Sequence, residues 1–567
     1  MDVLGPTLSS LARLTQDREM ELWDAARLSL DTADAGTATD AAHRTVVGQR
    51  VNSLPRRFRL VASAPNASAS WFSEDVATLF ATLPALAMDE TEERALVAAR
   101  TRCEPARLDR LFEFARRYRA ESADANVGLH KARRLGTRQL LRIAARLAHW
   151  PDSDVHALLW HNQLVDFLPR TVRELVADML AQCGIVAHGT EGAVQYIPPL
   201  ELQAPQVDAE KQELRFLDSG GRVRLAVPRY AWREVDPEGG VLVPNAHGSF
   251  HHNAQQTRLL HSFVQDLAVL GEHLLLMGAQ GTGKNKLIDQ ALELLDRPRE
   301  YVQLNRDSTV GELLQRVYLE NGQLRYSDSP LVRALKLGRV LVVDEVDKAP
   351  ASVSAVFKSL AERSELSLPD GRRVRPASTP GDESDVLVHP DFRLVLLANR
   401  PGWPFLGNSF TEVIGEGFSA YAVANPDMDS EVALLQRIGP NVSSRTLHSL
   451  AAAFSDLRAA FEADLINHPY SLRELIHVVR HLDRYPDEPL GDVLLNVLAF
   501  DLHKPEAMQL VLETFARRGL RVGDISLEAL RERAVAKSNQ PPPRVEYEPK
   551  GDTSLDRPKE GKHDPEN

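Results

Sequence analysis

The 567-residue sequence predicts an α/β fold: a parallel sheet covered by helices on both faces, continued by an all-helical region and preceded by an incomplete copy of the same plan. Three observations predict it. Between residues 273 and 400, short apolar runs alternate with stretches of helical periodicity. One run ends in a glycine-rich loop, Gly278-Ala279-Gln280-Gly281-Thr282-Gly283-Lys284, that opens a helix. Segments of the second half also recur in the first half at a nearly constant spacing.

Residues 273–277 form the first apolar run, and the helix after the loop places Leu287, Ala291, Leu292 and Leu295 on one side. Further strands are predicted at 301–304, at 340–343 before Asp344, and at 394–398 before Asn399. Strands that are apolar at every position, rather than at alternate ones, indicate a parallel sheet buried on both faces. Residues 428–525 lack strand-like runs and read as helical. Upstream, 214–217 and 223–227 flank Ser219-Gly220-Gly221 as a hairpin, among proline-rich strings at 198–205 and 228–244. From about 534 onward the chain is rich in Pro, Lys, Asp and Glu and poor in large apolar residues, so disorder is expected.

The repeat sets the organisation. Leu135-Gly136-Thr137-Arg138-Gln139-Leu140 corresponds to Tyr470-Ser471-Leu472-Arg473-Glu474-Leu475, Leu147 to Leu482, and Trp150-Pro151-Asp152 to Tyr485-Pro486-Asp487, all 335 residues apart. Phe58-Arg59-Leu60-Val61 matches Phe392-Arg393-Leu394-Val395 at 334, and Ser10-Leu11-Ala12 matches Ser359-Leu360-Ala361 at 349, which requires a gap. The divisions expected are a truncated first module at 1–190, a β-rich linker at 191–245, a nucleotide-binding α/β domain at 246–427, a helical lid at 428–530 and a disordered tail at 531–567. The first module lacks a glycine loop and a carboxylate strand. A split gene, a misplaced start or a second chain supplying the missing half would each account for that.

The glycines let consecutive backbone N–H groups wrap a phosphate, the helix N-terminus adds partial positive charge, and Lys284 reaches the β and γ phosphates. The expected ligand is ATP with Mg2+. Asn285 stands where Ser or Thr usually offers a hydroxyl to the metal; its amide oxygen is a hard donor, longer and differently aimed. Asp344, at the end of an apolar strand, is expected to hold Mg2+ through water, and Glu345 to deprotonate the attacking water. Asn399 could position that water from the adjacent strand, and Arg473 could swing onto the γ-phosphate. The plain alternatives are a strand-end turn former for Asn399 and a surface helix arginine for Arg473.

These segments resemble AAA+ ATPases, and within them the MoxR-like and dynein-related group. Gly278–Lys284 looks like Walker A, 340–345 like Walker B, Asn399 like sensor 1 and Arg473 like sensor 2. Asp344-Glu345-Val346-Asp347-Lys348-Ala349-Pro350 and a hairpin at 365–374, with Pro369-Asp370-Gly371 at its tip, resemble that group's continuation. Gly281 to Lys286, Arg297-Pro298-Arg299-Glu300-Tyr301, Asp328-Ser329-Pro330-Leu331-Val332 and Leu397-Ala398-Asn399-Arg400-Pro401-Gly402 are similar to the large multi-module AAA+ proteins with a C-terminal von Willebrand A domain. The resemblance implies ATP hydrolysis that remodels a protein substrate or a von Willebrand A-domain partner, within a ring or side-by-side array of modules; a non-hydrolysing ATP-binding scaffold is the alternative. Eukaryotic members are mitochondrial. No Asp-x-Ser-x-Ser metal site occurs, so that domain is expected to be absent from this chain. The family's trans-acting arginine before a Phe has no counterpart: Gly417 precedes Phe418 and Leu79 precedes Phe80, while Arg400 lies close to the crevice by sequence. Pro65, or Asn66 after a one-residue gap, matches Asn399 in the first module, and Arg138 matches Arg473.

Composition narrows the classes. A net charge of −12 argues against nucleic acid as a partner. Two cysteines, Cys103 and Cys183, point to a reducing compartment without a disulfide framework. With no apolar run of membrane length and no secretory leader, the default location is cytoplasmic. His247, His251 and His252 read as a polar loop near the base pocket rather than a metal site. Arg134, Arg138, Arg142 and Arg146, four residues apart, form one basic helix face, either solvated or a contact between modules.

Overall fold

A computed structural model describes residues 19–21, 27–30, 43–46, 49–54, 59–60, 81, 83, 88–123, 133–187, 201–231, 236–237, 239–245, 250–400, 410–463, 465–498 and 505–520. Several expectations lie outside these residues: Ser10-Leu11-Ala12, Phe58 and Val61, Pro65 and Asn66, Leu79-Phe80, His247 and the 531–567 tail. The chain divides into a unit at Met1–Asp89 and a unit at Glu90–Asn567. In the first, strands β1 (Glu19–Glu21), β2 (Arg27–Leu30), β3 (His43–Val46) and β4 (Gln49–Leu54) form a sheet of order β1-β2-β4-β3. β2 and β4 are parallel and the other pairs antiparallel.

The second unit opens with a helical array: α1 (Glu90–Thr101), α2 (Pro105–Ala123), α3 (Thr137–His149), α4 (Val155–Asn162) and α5 (Arg170–Gln182). It closes on its own core, which includes Leu111, Phe112, Leu140, Ile143 and Leu180. Strands β5 (Gln206–Asp208), β6 (Glu213–Leu217) and β7 (Val223–Pro228) then form an antiparallel sheet. Its inward residues Leu214, Phe216, Leu225 and Val227 share a core with the α/β domain, so it is a packed layer of that domain.

The α/β domain contains α6 (Ala254–Val264), prolonged by a π-helix at Gln265–Leu270, then β8 (Leu274–Gly278), α7 (Lys284–Leu294), β9 (Arg299–Gln303) and α8 (Val310–Leu314). The hairpin β10 (Gln315–Glu320) and β11 (Gln323–Asp328) follows, then α9 (Pro330–Leu337), β12 (Val340–Asp344) and α10 (Ala351–Arg363). Next come β13 (Leu366–Ser367), β14 (Arg373–Pro376), β15 (Val386–Val388), β16 (Arg393–Asn399), α11 (Phe410–Ile414) and β17 (Ser419–Val423). The main sheet has order β17-β8-β16-β12-β9, every pair parallel. Period-2 alternation feeds two cores: Leu275, Met277, Leu341, Val343, Leu394 and Leu396 face one, and Leu274, Leu276, Val340, Val342, Val395 and Leu397 the other. The predicted hairpin near 365–374 is present as β13 and β14, with Gly371 at φ +91° in the turn.

The C-terminal helical lid comprises α12 (Met428–Ile438), α13 (Ser444–Glu462), α14 (Leu472–Arg484), α15 (Leu490–Val497) and α16 (Pro505–Arg517), packed around Leu450, Phe454, Leu475, Val479 and Phe515. Its last three helices repeat the last three of the first array. α3 and α14 each have 13 residues, α4 and α15 each 8, α5 and α16 each 13, and all six boundaries are 335 apart. Even the helix exits agree: Trp150 has φ −129° and ψ 84°, Tyr485 φ −130° and ψ 73°.

The basic face of α3 is a contact with the α/β domain, so the solvated alternative fails for Arg142 and Arg146, which are buried. Arg146 Nη1 donates to Asp266 Oδ1 at 2.9 Å and Tyr421 Oη at 2.7 Å. Arg142 Nε donates to Glu272 Oε2 at 2.7 Å, and Arg133 Nη2 donates to the carbonyl of Phe418 at 2.7 Å. Arg138 pairs with Glu362 at 2.6 Å. Thus the segment before Phe418, the family's place for a trans-acting arginine, is held by arginines arriving from the preceding helical array.

Candidate nucleotide site

The sheet order places the glycine loop at the C-terminal end of a central strand, between the ends of β16 and β17. Gly281 and Gly283 take φ +82° and +87°, which only glycine adopts at little cost. A Cβ on Gly281 would lie 2.8 Å from the Ser471 side chain, so the loop and the start of α14 touch. Ser471 caps α14, accepting from the Arg473 N–H at 3.2 Å, and Glu474 completes a capping box. This fixes Arg473 over the loop, at the rim of a cleft of about 870 Å3 lined by the loop, by Asp344, Glu345 and Asn399, and by the lid.

Lys284 is buried, and its Nζ donates to the carbonyls of Gly278 (3.0 Å) and Ala279 (2.9 Å) and to Asn399 Oδ1 (3.3 Å). Burial pushes the Lys284 ammonium down to about 8, against the raising influence of Asp344 and Asp347. The Asn399 N–H donates to Asp347 Oδ1 at 3.0 Å, tying the end of β16 to the turn after β12.

Asp344 ends β12. Its Oδ2 accepts from Asn285 Nδ2 and from Tyr301 Oη, each at 2.7 Å, and its Oδ1 accepts from the Glu345 N–H at 2.8 Å. Glu345 sits in the left-handed region at φ +57° and ψ 36°, an uncommon conformation for a residue with a Cβ. Its Oε1 accepts from Lys348 Nζ at 2.5 Å and its Oε2 from Gln303 Nε2 at 3.1 Å. The oxygen donors here, one carboxylate and one amide beside an anion-cradling loop, suit a hard divalent cation that keeps much of its water.

Every predicted site residue therefore lines or touches one cleft: Gly278, Ala279, Gln280, Gly281, Thr282, Gly283, Lys284, Asn285, Asp344, Glu345, Asn399 and Arg473. Arg400 turns elsewhere, stacking 5.7 Å from the Phe461 ring centre and pairing with Glu462 at 3.5 Å. Sequence reading missed Tyr301 and Gln303, which share one face of β9, and Lys348, one turn past Glu345. It also missed the lid side chains Arg437, His477 and Arg480. Their signal was periodicity: 301 and 303 alternate on a strand, and 473, 477 and 480 share one face of a helix. His251 lies beside this cleft with Phe250, and among the described residues no group of three or more His, Cys, Asp or Glu is placed to hold a metal.

A parallel sheet of this order, a glycine loop after the interior strand β8, an acidic pair ending β12 two places along, and a helical lid define a P-loop AAA+ module. Residues 273–415 match the family described as AAA domain (dynein-related subfamily), and the module is an AAA+ module of that MoxR-like, dynein-related group. Over 530 residues the chain is 36% identical to von Willebrand factor A domain-containing protein 8 of Mus musculus, covering 91% of this chain and 27% of that protein. It is 28% identical over 161 residues to protein CbbQ of Hydrogenophilus thermoluteolus, covering 28% of this chain and 56% of that one. It is 27% identical over 227 residues to protein NorQ of Paracoccus denitrificans, covering 39% and 80%. The chain thus spans about a quarter of the length of the first of these relatives. AAA+ modules are nucleotide-binding, ATP-driven domains. Among the described residues, no helix is long and apolar enough to cross a membrane.

Proposed function

We propose that this chain binds ATP with Mg2+ at Gly278–Asn285 and hydrolyses it, using the cycle to remodel or assemble a protein partner. The observation that carries the reading is convergence. Lys284, Asn399 and Asp347 are joined by hydrogen bonds, and Asn285 is bonded to Asp344, at the C-terminal ends of three adjacent strands. Lys284 would exchange its loop carbonyls for phosphate oxygens. Asp344 and Asn285 would hold Mg2+, which supplies charge neutralisation at the phosphates. Glu345 would accept the proton of the attacking water, Asn399 would orient that water, and Arg473 would meet the γ-phosphate from the lid.

Two observations support a protein partner and an assembled form. The hairpin β10–β11 carries Val317, Leu319 and Leu324 at 53%, 71% and 66% exposure, an apolar surface that water alone does not favour. Arg142 and Arg146 on α3 are covered by an α/β domain, whereas their counterparts on α14, His477 and His481, are exposed and half-buried. A neighbouring α/β domain seated on α14 would reproduce the contact that α3 makes, closing the cleft from outside. The same correspondence supports reading α3 to α5 as the lid of a related AAA+ module.

The second reading, a nucleotide-binding scaffold without turnover, is favoured by Asn285 and by the engagement of both Glu345 oxygens. Phosphate release separates the two. Turnover of ATP that stops on addition of EDTA is expected; release no faster than in buffer, with ATP still bound, would leave the scaffold.

A further inference from the structure

Asp344 is not free to turn. Its Oδ2 takes two donors at 2.7 Å and its Oδ1 takes a third at 2.8 Å. A carboxylate oxygen has two in-plane lone pairs, so Oδ2 is saturated and one lone pair of Oδ1 remains. A carboxylate oxygen accepts, so Asn285 gives its NH2 to Asp344 and its amide oxygen is left for another partner. A hydroxyl at position 285 could give a hydrogen to the carboxylate and a lone pair to the metal from one atom. The amide divides those tasks between two atoms, and the carboxylate needs another anchor.

Tyr301 supplies that anchor, and its own position is built. Asn285 and Asp289 lie four apart on one face of α7, and Tyr301 and Arg299 lie two apart on one face of β9. Asp289 pairs with Arg299 at 2.8 Å, and the Arg299 guanidinium sits 5.3 Å from the centre of the Tyr301 ring. Helix and strand are thus laced twice, once through Asp289–Arg299 and once through Asn285–Asp344–Tyr301. Tyr301 is 40% exposed and lines the cleft, so core packing does not account for it.

We propose that Tyr301 is a positioning residue of the metal–nucleotide site, acting through Asp344: its hydroxyl fixes the one lone pair that Asp344 offers to a metal-bound water. The proposal rests on the reading that Gly278–Asn285 binds nucleotide with Mg2+. It predicts that Tyr301 matters to the metal and not to nucleotide binding as such. Groups that orient a metal ligand through a hydrogen bond typically contribute about 10-fold or more to metal affinity.

The test is a titration of a fluorescent N-methylanthraniloyl-ADP against wild type and Tyr301→Phe, in EDTA and across a Mg2+ series, with melting temperatures in parallel. The expected result is a metal-free affinity within about twofold of wild type and a half-saturating Mg2+ concentration raised about 10-fold. An unchanged Mg2+ dependence overturns the proposal. So does an equal loss with and without metal, or a lowered melting temperature that accounts for the loss, since a merely structural tyrosine would give either. Failure of wild type to bind the probe under any condition overturns the nucleotide reading itself, and the proposal with it.

Discussion

Glu345→Gln is expected to lower kcat for ATP hydrolysis by a factor of about 10^2 to 10^4, the range a positioned general base contributes, with ATP binding retained. The substitution is nearly isosteric and keeps the hydrogen-bonding reach toward Gln303. It removes only the negative charge that Lys348 meets at 2.5 Å, and Lys348 is 41% exposed, so that pair adds little to stability. Lys284, the glycine loop and the Asn285–Asp344 link are untouched. Single-turnover phosphate release measures the effect. A kcat within about twofold of wild type would remove Glu345 from the chemistry.

Arg146→Ala destabilises the second unit by about 3–5 kcal/mol, because it leaves a buried charge without its partner. Arg146 is 5% exposed and Asp266 1%. Asp266 keeps hydrogen bonds from Ser419 Oγ and Tyr421 Oη, both at 2.6 Å, but loses its ion pair with Arg146. The loss falls on the joint between α3 and the edge strand β17, so the first helical array should loosen from the α/β domain as the protein melts. Denaturant unfolding of Arg146→Ala and Arg146→Lys gives the measurement. Lysine retains the charge but not the two-pronged geometry and should fall between alanine and wild type. A change under about 0.5 kcal/mol for alanine would mean that the joint carries no load.

The site was largely legible because its chemistry is local in sequence. The glycine loop with its lysine, the four apolar residues before Asp344 and the run before Asn399 each declare a strand end. Each strand end became a wall of the cleft once the sheet order brought them together. The helical repeat was legible because α3 and α14 bury the same positions in their own arrays: Leu140, Ile143 and Ala144 in one, Leu475, Val478 and Val479 in the other. What was not legible depends on pairing across the fold. β17, with the sequence Ser-Ala-Tyr-Ala-Val, has too few large apolar residues to mark a strand alone and is defined by its register with β8. Whether Arg142 and Arg146 met water or protein depended on surfaces 120 to 276 residues away in sequence. The hairpin β10–β11 was available to a closer reading: Asn321 and Gly322 both have positive φ, +52° and +76°, as the tight Asn-Gly turn requires. Tyr301 and Gln303 gain their meaning only from the strand beside them, where Gln303 is in register with Asp344.

The central claim is that the loop at Gly278–Lys284 binds a nucleotide through Lys284. Equilibrium titration of wild type and Lys284→Ala with the fluorescent ADP analogue in Mg2+ tests it most directly. Saturable binding by wild type, weakened at least about 10-fold by the substitution, is the expected result, because Lys284 Nζ sits on the loop carbonyls of Gly278 and Ala279, where a phosphate would replace them. Equal affinity in the two proteins, or none in wild type, would contradict it.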